Sequence, residues 1–495
     1  MHDICKKITK QSPITLVELP ATQFGILNGE ISFDEYSHSK LPSRALHVLS
    51  AVLMNDGWKN TAMINPIYHG KDNKLTKENF KRILSSNVLG ISSITRTAPQ
   101  SIWLAELYKA NNPAGIVIAG GPDPTFRFEE WLRYVDVVVM GEGERTILDL
   151  MNQLMKNPEK LERVDGIAYK KNKKIIVTKP RRLLSPEELS RLPHPYYDAD
   201  TKKKISVSVI ETSRGCPNNC EFCGVTKFYG GTYRRKSKEW IIEELKRIQS
   251  FAKTIFYIDD NFVGSSKESM DQSIELLNAI ADEGLNKRYC LAQVTIKAAK
   301  NQKLLRALKG AGISCLCIGI ESINNETLRS LRKPYNSEQN KEAIKIFRKN
   351  GFWVHGMLMP GGDGDTEESL KELLKWSNEN LDSVQFFPPG PLPGTDFHKR
   401  MEIEGSILTR DASLADGHIV CVRPKNFTPY QLQNIINKMY YDFYSWKNTF
   451  KRFPRSPNKV LTILLLWYTK IFGGIRKVVQ SPALKNHIEF LKSIS

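Results

Sequence analysis

The sequence predicts an α/β protein made of two successive parallel-sheet domains followed by a helical C-terminal region. Three observations predict it. Short apolar runs rich in Val and Ile alternate with helix-period segments from Ile14 to Met140 and again from Ile205 to Phe387. Glycine-bearing turns follow several of these runs, as at Gly120-Gly121 and Gly141-Glu142. From about Thr428 helical spacing continues without further strand-like runs. Apolar strands separated by helices pair as parallel sheets covered on both faces.

With 495 residues and 41% hydrophobic content, the chain can bury more than one core. In the first domain, strands are expected at Ile14–Leu19, Thr61–Asn65, Val88–Ile94, Ile116–Ala119 and Val135–Met140. Helices are expected at Ser43–Leu53, Gln100–Lys109 and Arg145–Leu154. Ligands bind at strand ends in such sheets, which draws attention to Gly120, Gly121, Gly141 and Glu142. Glycine there lets backbone approach a ligand, although a tight strand-to-helix turn also explains it.

A hairpin is expected next, from the runs Gly166–Tyr169 and Ile175–Thr178 around a lysine-rich turn, and then a stiff linker at Leu192-Pro193-His194-Pro195. The second domain is expected to hold six strands, at Ile205–Ile210, Thr254–Ile258, Cys290–Ile296, Cys315–Ile320, Trp353–Met357 and Ser383–Phe387. Directly after the first of them comes Glu-Thr-Ser-Arg-Gly-Cys216-Pro-Asn-Asn-Cys220-Glu-Phe-Cys223. Three cysteines at this spacing, with no second Cys pair to close a zinc tetrahedron, form a mount for an iron–sulfur cluster with one iron left open. Cys290, Cys315 and Cys317 lie in apolar runs and read as small buried hydrophobes; Cys5 and Cys421 complete the set of eight.

The Cys-x3-Cys-x2-Cys loop after the first strand of a domain resembles the radical S-adenosylmethionine (radical SAM) superfamily. The preceding domain, ending Gly-Gly-Pro and Val-Val-Val-Met-Gly-Glu-Gly-Glu, is similar to that of the cobalamin-binding class within it. The resemblance covers roughly Ile14 to Phe397. It implies an N-terminal doubly wound, cobalamin-binding-like Rossmann domain (1–160), a hairpin and linker (161–200), a partial (β/α)6 radical SAM barrel (201–425) and a basic helical C-terminal region (426–495).

It further implies that Cys216, Cys220 and Cys223 hold a [4Fe–4S] cluster whose open iron chelates S-adenosylmethionine, generating a 5′-deoxyadenosyl radical that takes hydrogen from unactivated carbon. Phe222, Asp259, Asp260, Glu321 and Ser322 are the implied S-adenosylmethionine contacts, Asp260 toward the methionine amino group and Glu321 toward the ribose. Helix N-capping is the competing reading of Asp260. Gly120, Gly121, Gly141 and Glu142 are the implied cobalamin contacts. In the class the cobalt is often ligated by the histidine of Asp-x-His-x-x-Gly; here the turn is Asn65-Pro66-Ile67-Tyr68-His69-Gly70, and His69 reads as a surface residue. Tyr233, Arg234 and Arg235 either position an anionic group or form a surface cluster. The Pro- and Gly-rich turns at Pro360–Asp365 and Pro388–Thr395 read as rigid lips of a cofactor cavity.

The net charge of +19 is concentrated at the end of the chain, where Phe443–Ser495 carries ten Lys/Arg against Glu489. Gln431–Trp446 has the spacing of a helix packed on the barrel. Val460–Tyr468, apolar with basic flanks, is too short to span a bilayer and reads either as a membrane-interface helix or as a docking helix. Met1–Gln11 lacks the pattern of a signal peptide, and an oxygen-sensitive cluster loop belongs in a reducing compartment, so a cytoplasmic location is expected, with membrane association through the basic tail.

The expected activity is that of a radical SAM, cobalamin-dependent enzyme, a C-methyltransferase acting on a lipid or other apolar substrate. The alternatives are radical C–C ring closure in which cobalamin donates no methyl, and a non-enzymatic cluster or cobalamin carrier. The expected partners are a small-molecule or lipid substrate and a low-potential electron donor such as a flavodoxin or ferredoxin, with no nucleic acid.

Overall fold

The computed structural model describes residues 8–20, 41–71, 73–414, 417–459, 462–463 and 482–495. The expectations for Cys5, for most of Met1–Gln11 and for Val460–Tyr468 apart from Thr462 and Ile463 lie outside these residues. The chain divides into two compact units, Met1–Ser208 and Val209–Ser495.

The first unit is built on a seven-stranded sheet: β1 (Ile14–Val17), β2 (Thr61–Ile64), β3 (Val88–Ser92), β4 (Ile116–Gly120), β5 (Val137–Val139), β6 (Ile167–Lys171) and β7 (Lys174–Val177). Their order is β2-β1-β3-β4-β5-β6-β7. The first five run parallel in the doubly wound order that reverses direction between β1 and β3. Each strand is short and apolar because both faces are covered. On one face Leu46, Val52 and Leu53 of the helix Arg44–Asn55 pack with Ile147, Leu150 and Leu154 of the helix Gly143–Lys156.

The hairpin β6–β7 adds to β5 antiparallel. It forms the edge of the N-terminal sheet, and the first unit runs to Ser208. Exposed lysines and Lys173 at φ +64° form its solvated turn.

The second unit carries a six-stranded parallel sheet containing all six expected strands: β8 (Val207–Ile210), β11 (Thr254–Tyr257), β12 (Tyr289–Gln293), β13 (Ile313–Glu321), β14 (Trp353–Leu358) and β15 (Ser383–Phe386). Its order follows the chain from β8 at one edge to β15 at the other. One face gathers Phe256, Tyr289, Leu291, Cys315, Cys317, Trp353 and Met357. A two-stranded antiparallel ribbon, β9 (Ser213–Arg214) with β10 (Arg234–Arg235), stands apart from this sheet.

The expected C-terminal helix forms at Pro429–Phe443, burying Leu432, Ile436, Met439 and Phe443. It also protects the sheet edge. Tyr440 Oη accepts from Phe386 N (2.8 Å), while Tyr444 Oη accepts from Val384 N (3.0 Å) and donates to Val384 O (2.8 Å). These hydroxyls take backbone groups of an edge strand that would otherwise invite another chain.

Candidate active site

All parallel strands of a sheet end on the same side, so the C-terminal ends of β8, β11, β13 and β14 form one rim, and the candidate residues of the second unit lie along it. The cysteine loop, residues 215–233, is closed at its base by the β9–β10 ribbon. Gly215 begins it at φ +87°, where a Cβ would fall 2.2 Å from Thr232 O, so a side chain does not fit there. Cys216, Cys220 and Cys223 are half-buried in this loop. Burial raises the proton affinity of all three, taking Cys223 to about 11; Cys216 adds to the effect at Cys220, and both add to it at Cys223.

Among the described residues no three His, Cys, Asp or Glu side chains converge closely enough to share one metal ion. The loop's donor set, three thiols at Cys-x3-Cys-x2-Cys, is that of an iron–sulfur cluster mount.

The acids of the rim divide into those that build the loop and those that face it. Asp259 is buried, and its Oδ1 accepts from Thr212 N (3.1 Å), Thr212 Oγ1 (2.7 Å), Ser213 N and Ser213 Oγ (2.5 Å). It is the brace of the strand that leads into the cysteine loop. Its Oδ2 is buried without a hydrogen-bond partner among the described residues. Asp260 Oδ2 accepts from Gly215 N at 2.9 Å, one residue before Cys216. Burial pushes the Asp260 carboxyl up to about 6. Asp260 does not cap a helix: the N-cap of the helix Lys267–Asp282 is Ser266.

Glu321 ends β13 at φ +59°, a conformation that costs a residue with a Cβ, beside an irregularity in the pairing with β14. Its backbone is over-determined: its carbonyl accepts from Met359 N (2.7 Å), and Asn340 Nδ2 bonds the carbonyls on either side, Ile320 (3.1 Å) and Ser322 (3.2 Å). Glu321 Oε1 meets Lys333 Nζ at 3.1 Å, both side chains nearly buried. Burial opposes the Lys333 charge, but Glu321 and Cys220 more than offset this and raise its proton affinity. Ser322 is buried and its hydroxyl accepts from Asn324 N (3.0 Å), holding the turn. Phe222 packs on Phe397, Met401 and Val422.

Several site features were not foreseen. Lys333 is one; nothing in its local sequence distinguishes it from surface lysines. Glu221 and Arg400 are another. Arg400 Nε and Nη2 donate to Glu221 Oε1 (2.8 Å) and Oε2 (3.0 Å), a two-pronged ion pair between the cysteine loop and the helix Asp396–Ile403. Tyr233, Arg234 and Arg235 are not a surface cluster: Arg234 is buried and the other two are half-buried. Arg235 Nη2 donates to Tyr233 Oη, Phe262 O and Ser273 Oγ (2.9 Å), tying the ribbon to the helix Lys267–Asp282. In the loop after β14, Asp365 Oδ2 accepts from Gly361 N (2.9 Å) and Gly362 N (3.1 Å), which gives that turn its shape.

In the first unit, the ends of β3, β4 and β5 form a second rim. Gly121 stands at φ +104°, where a Cβ would meet Ser93 O at 2.6 Å. Gly141 stands at φ +75° over open space, and its N–H donates to Thr125 Oγ1 (3.1 Å). Glu142 Oε2 accepts from Leu184 N (2.7 Å), a tie within the unit. His69 is not a surface residue. Its Nδ1 accepts from Asn65 N (2.9 Å), which leaves the proton on Nε2 to donate to Asp198 Oδ2 (3.1 Å). With both ring nitrogens committed, it has no lone pair for cobalt.

Residues 36–151 match the family model of the B12 binding domain, and residues 210–377 that of the radical SAM superfamily. The chain thus carries both the B12 binding domain and the radical SAM domain that define the cobalamin-binding radical SAM class. Its cofactors are a [4Fe–4S] cluster, S-adenosylmethionine and cobalamin.

It is 29% identical over 392 residues to an uncharacterised methyltransferase of Pyrococcus horikoshii, covering 76% of this chain and 83% of that protein. It is 29% identical over 325 residues to the hopanoid C-3 methylase of Methylococcus capsulatus, covering 64% of this chain and 61% of that enzyme. The fold matches that of OxsB, a cobalamin-dependent S-adenosylmethionine radical enzyme, with a TM-score of 0.71 at 15% identity, over 98% of this chain and 79% of that one.

Proposed function

We propose that the protein is a cobalamin-dependent radical SAM C-methyltransferase acting on an unactivated carbon of a lipid or other apolar small molecule. The observation that carries this reading is a B12 binding domain and a Cys-x3-Cys-x2-Cys loop in one chain. When bound, the cluster and S-adenosylmethionine supply hydrogen abstraction and cobalamin supplies the methyl group. The chain's own residues hold and shield that chemistry.

In this reading Cys216, Cys220 and Cys223 mount the cluster. Asp260, with its second oxygen, receives the methionine ammonium, and Glu321 faces the ribose. Lys333 offsets the negative charge gathered by the thiolates and Glu321, and Phe222 closes one wall. Asp259 acts by position, fixing Thr212 and Ser213 and so the direction of the loop. Gly120, Gly121 and Gly141, with Glu142 beside them, line the edge that receives cobalamin.

The reductant in this reading is a low-potential flavodoxin or ferredoxin of the cytoplasm. Among the described residues no helix is long and apolar enough to cross a membrane. An apolar substrate is reached through peripheral contact of the basic C-terminal region with a membrane.

The test is anaerobic expression with methyl-labelled methionine, followed by mass spectrometry of lipid extracts from cells carrying wild type or Cys220→Ala. A lipid that gains one labelled methyl only with wild type supports methyl transfer. A wild-type-dependent product without label favours ring closure. Identical extracts contradict both.

A further inference from the structure

The short helix Trp446–Arg452 has its amphipathicity inverted. The residues that fasten it to the body of the second unit are polar. Arg452 is buried, with its guanidinium 3.8 Å from the centre of the Phe443 ring and Nη1 donating to Asn378 Oδ1 (2.9 Å). Thr449 is buried and donates to Ser445 O (2.8 Å). Burial lowers the Arg452 guanidinium to about 10, still charged at neutral pH. Just beyond, Arg455 Nη1 donates to Glu379 O (3.2 Å), so the following turn is fastened as well.

The residues facing water are two aromatics and two lysines. Trp446 is 51% and Phe450 61% exposed, one helical turn apart and stacked at 5.8 Å with 22° between their planes. Tyr441, 44% exposed, precedes them on the neighbouring helix. Lys447 and Lys451, both exposed, run beside them at the same spacing, with Lys438, Arg455 and Lys459 also exposed. Asp442, the acid on this surface, accepts from Asn378 Nδ2 (2.9 Å) and Asn448 Nδ2 (2.9 Å).

An aromatic stripe beside a lysine stripe matches the two layers of an anionic bilayer surface. Indole and phenyl rings settle at the boundary between headgroups and acyl chains, and ammonium groups settle among the phosphates. We infer that Trp446 and Phe450, flanked by Lys447 and Lys451, are the surface by which this protein inserts shallowly into an anionic membrane. The inference rests on the peripheral-membrane reading above and assigns it to a rigidly mounted helix outside Val460–Tyr468. Charge decides for a lipid surface: the exposed Lys438, Lys447, Lys451, Arg455 and Lys459 outnumber Asp442 here, which favours phosphate headgroups over the mixed charges of a typical protein face.

The experiment is co-sedimentation of the full-length, cofactor-loaded protein with phosphatidylcholine vesicles and with vesicles containing about one-third phosphatidylglycerol, at two salt concentrations. Wild type is expected to bind the anionic vesicles, weakly at high salt and weakly to neutral ones. Trp446→Ala with Phe450→Ala should lower the partition roughly tenfold or more, and Lys447→Gln with Lys451→Gln should flatten its salt dependence. Circular dichroism and retained cobalt check that the variants fold. Binding unchanged in the aromatic variant overturns this surface while leaving the peripheral-membrane reading intact. No binding of wild type to either vesicle overturns both. A wild-type dimer that the aromatic variant dissociates, without vesicle binding, assigns the face to a second copy and also overturns the inference.

Discussion

Lys333 Nζ lies 3.1 Å from Glu321 Oε1, and the same ammonium raises the acidity of the Cys216 and Cys220 thiols against the effect of their burial. One buried cation thus serves a strained strand-end carboxylate and two candidate cluster ligands. Lys333→Met should slow iron uptake by the apoprotein several-fold at neutral pH, with the deficit closing as pH rises, because thiols must lose their protons to bind iron. Lys333→Arg should behave more like wild type. Iron uptake followed by absorbance across pH checks this; identical pH profiles for wild type and Lys333→Met would show that the ammonium does not act on the thiols.

Arg400→Met removes the partner of Glu221, whose side chain is only 4% exposed. Stranding a buried carboxylate costs roughly 3–5 kcal/mol. Since Glu221 sits between Cys220 and Phe222, the expected result is faster loss of iron to a chelator with cobalt retained. Arg400→Lys, which cannot form the two-pronged pair, should fall between.

Two glycines of the first unit separate fold from binding. Gly121→Ala places a methyl 2.6 Å from Ser93 O and should destabilise the first unit together with cobalamin binding. Gly141→Ala meets nothing within 4 Å, so only its φ of +75° opposes it, a cost of roughly 1–2 kcal/mol. If that open space is where cobalamin lies, Gly141→Ala should fold and yet bind cobalamin weakly. Unchanged cobalt retention would move the cofactor away from Gly141.

His47 gives the first unit a defined acid limit. Burial lowers its pKa to about 4, while Nδ1–H donates to Tyr196 O at 2.7 Å. A histidine lowered in the folded state contributes stability that is complete above its unfolded value near 6.5 and lost as pH falls toward 4. The loss amounts to roughly 3 kcal/mol. Hydrogen exchange in the segment 44–55, corrected for intrinsic rates, should quicken between pH 6.5 and 5, and His47→Gln should flatten that response.

The strands and the cysteine loop were legible because each is a local pattern: a short apolar run, a glycine turn, three thiols within eight residues. What the sequence hid is non-local. Lys333 looks like a surface lysine until the chain folds it against Glu321, and Arg400 lies 179 residues from Glu221. Tyr233 and Arg235 read equally as an anion-positioning group or a surface cluster; the tie of Arg235 to Phe262 and Ser273 of another segment is non-local. His69 was misplaced at the surface for the same reason, its partner Asp198 lying 129 residues on. The hairpin at Ile167–Val177 was recognised, but its addition to β5 depends on pairing that no run of residues encodes alone.

The central claim is that one chain carries a radical-generating cluster and a separate cobalamin site. Anaerobic reconstitution with iron, sulfide and cobalamin, followed by metal analysis and detection of 5′-deoxyadenosine on reduction, tests it most directly. Wild type should hold about four irons and about one cobalt per chain and release 5′-deoxyadenosine. Cys220→Ala should keep the cobalt while losing the iron and the 5′-deoxyadenosine. Failure of wild type to retain cobalt, or 5′-deoxyadenosine formation undiminished in Cys220→Ala, would contradict it.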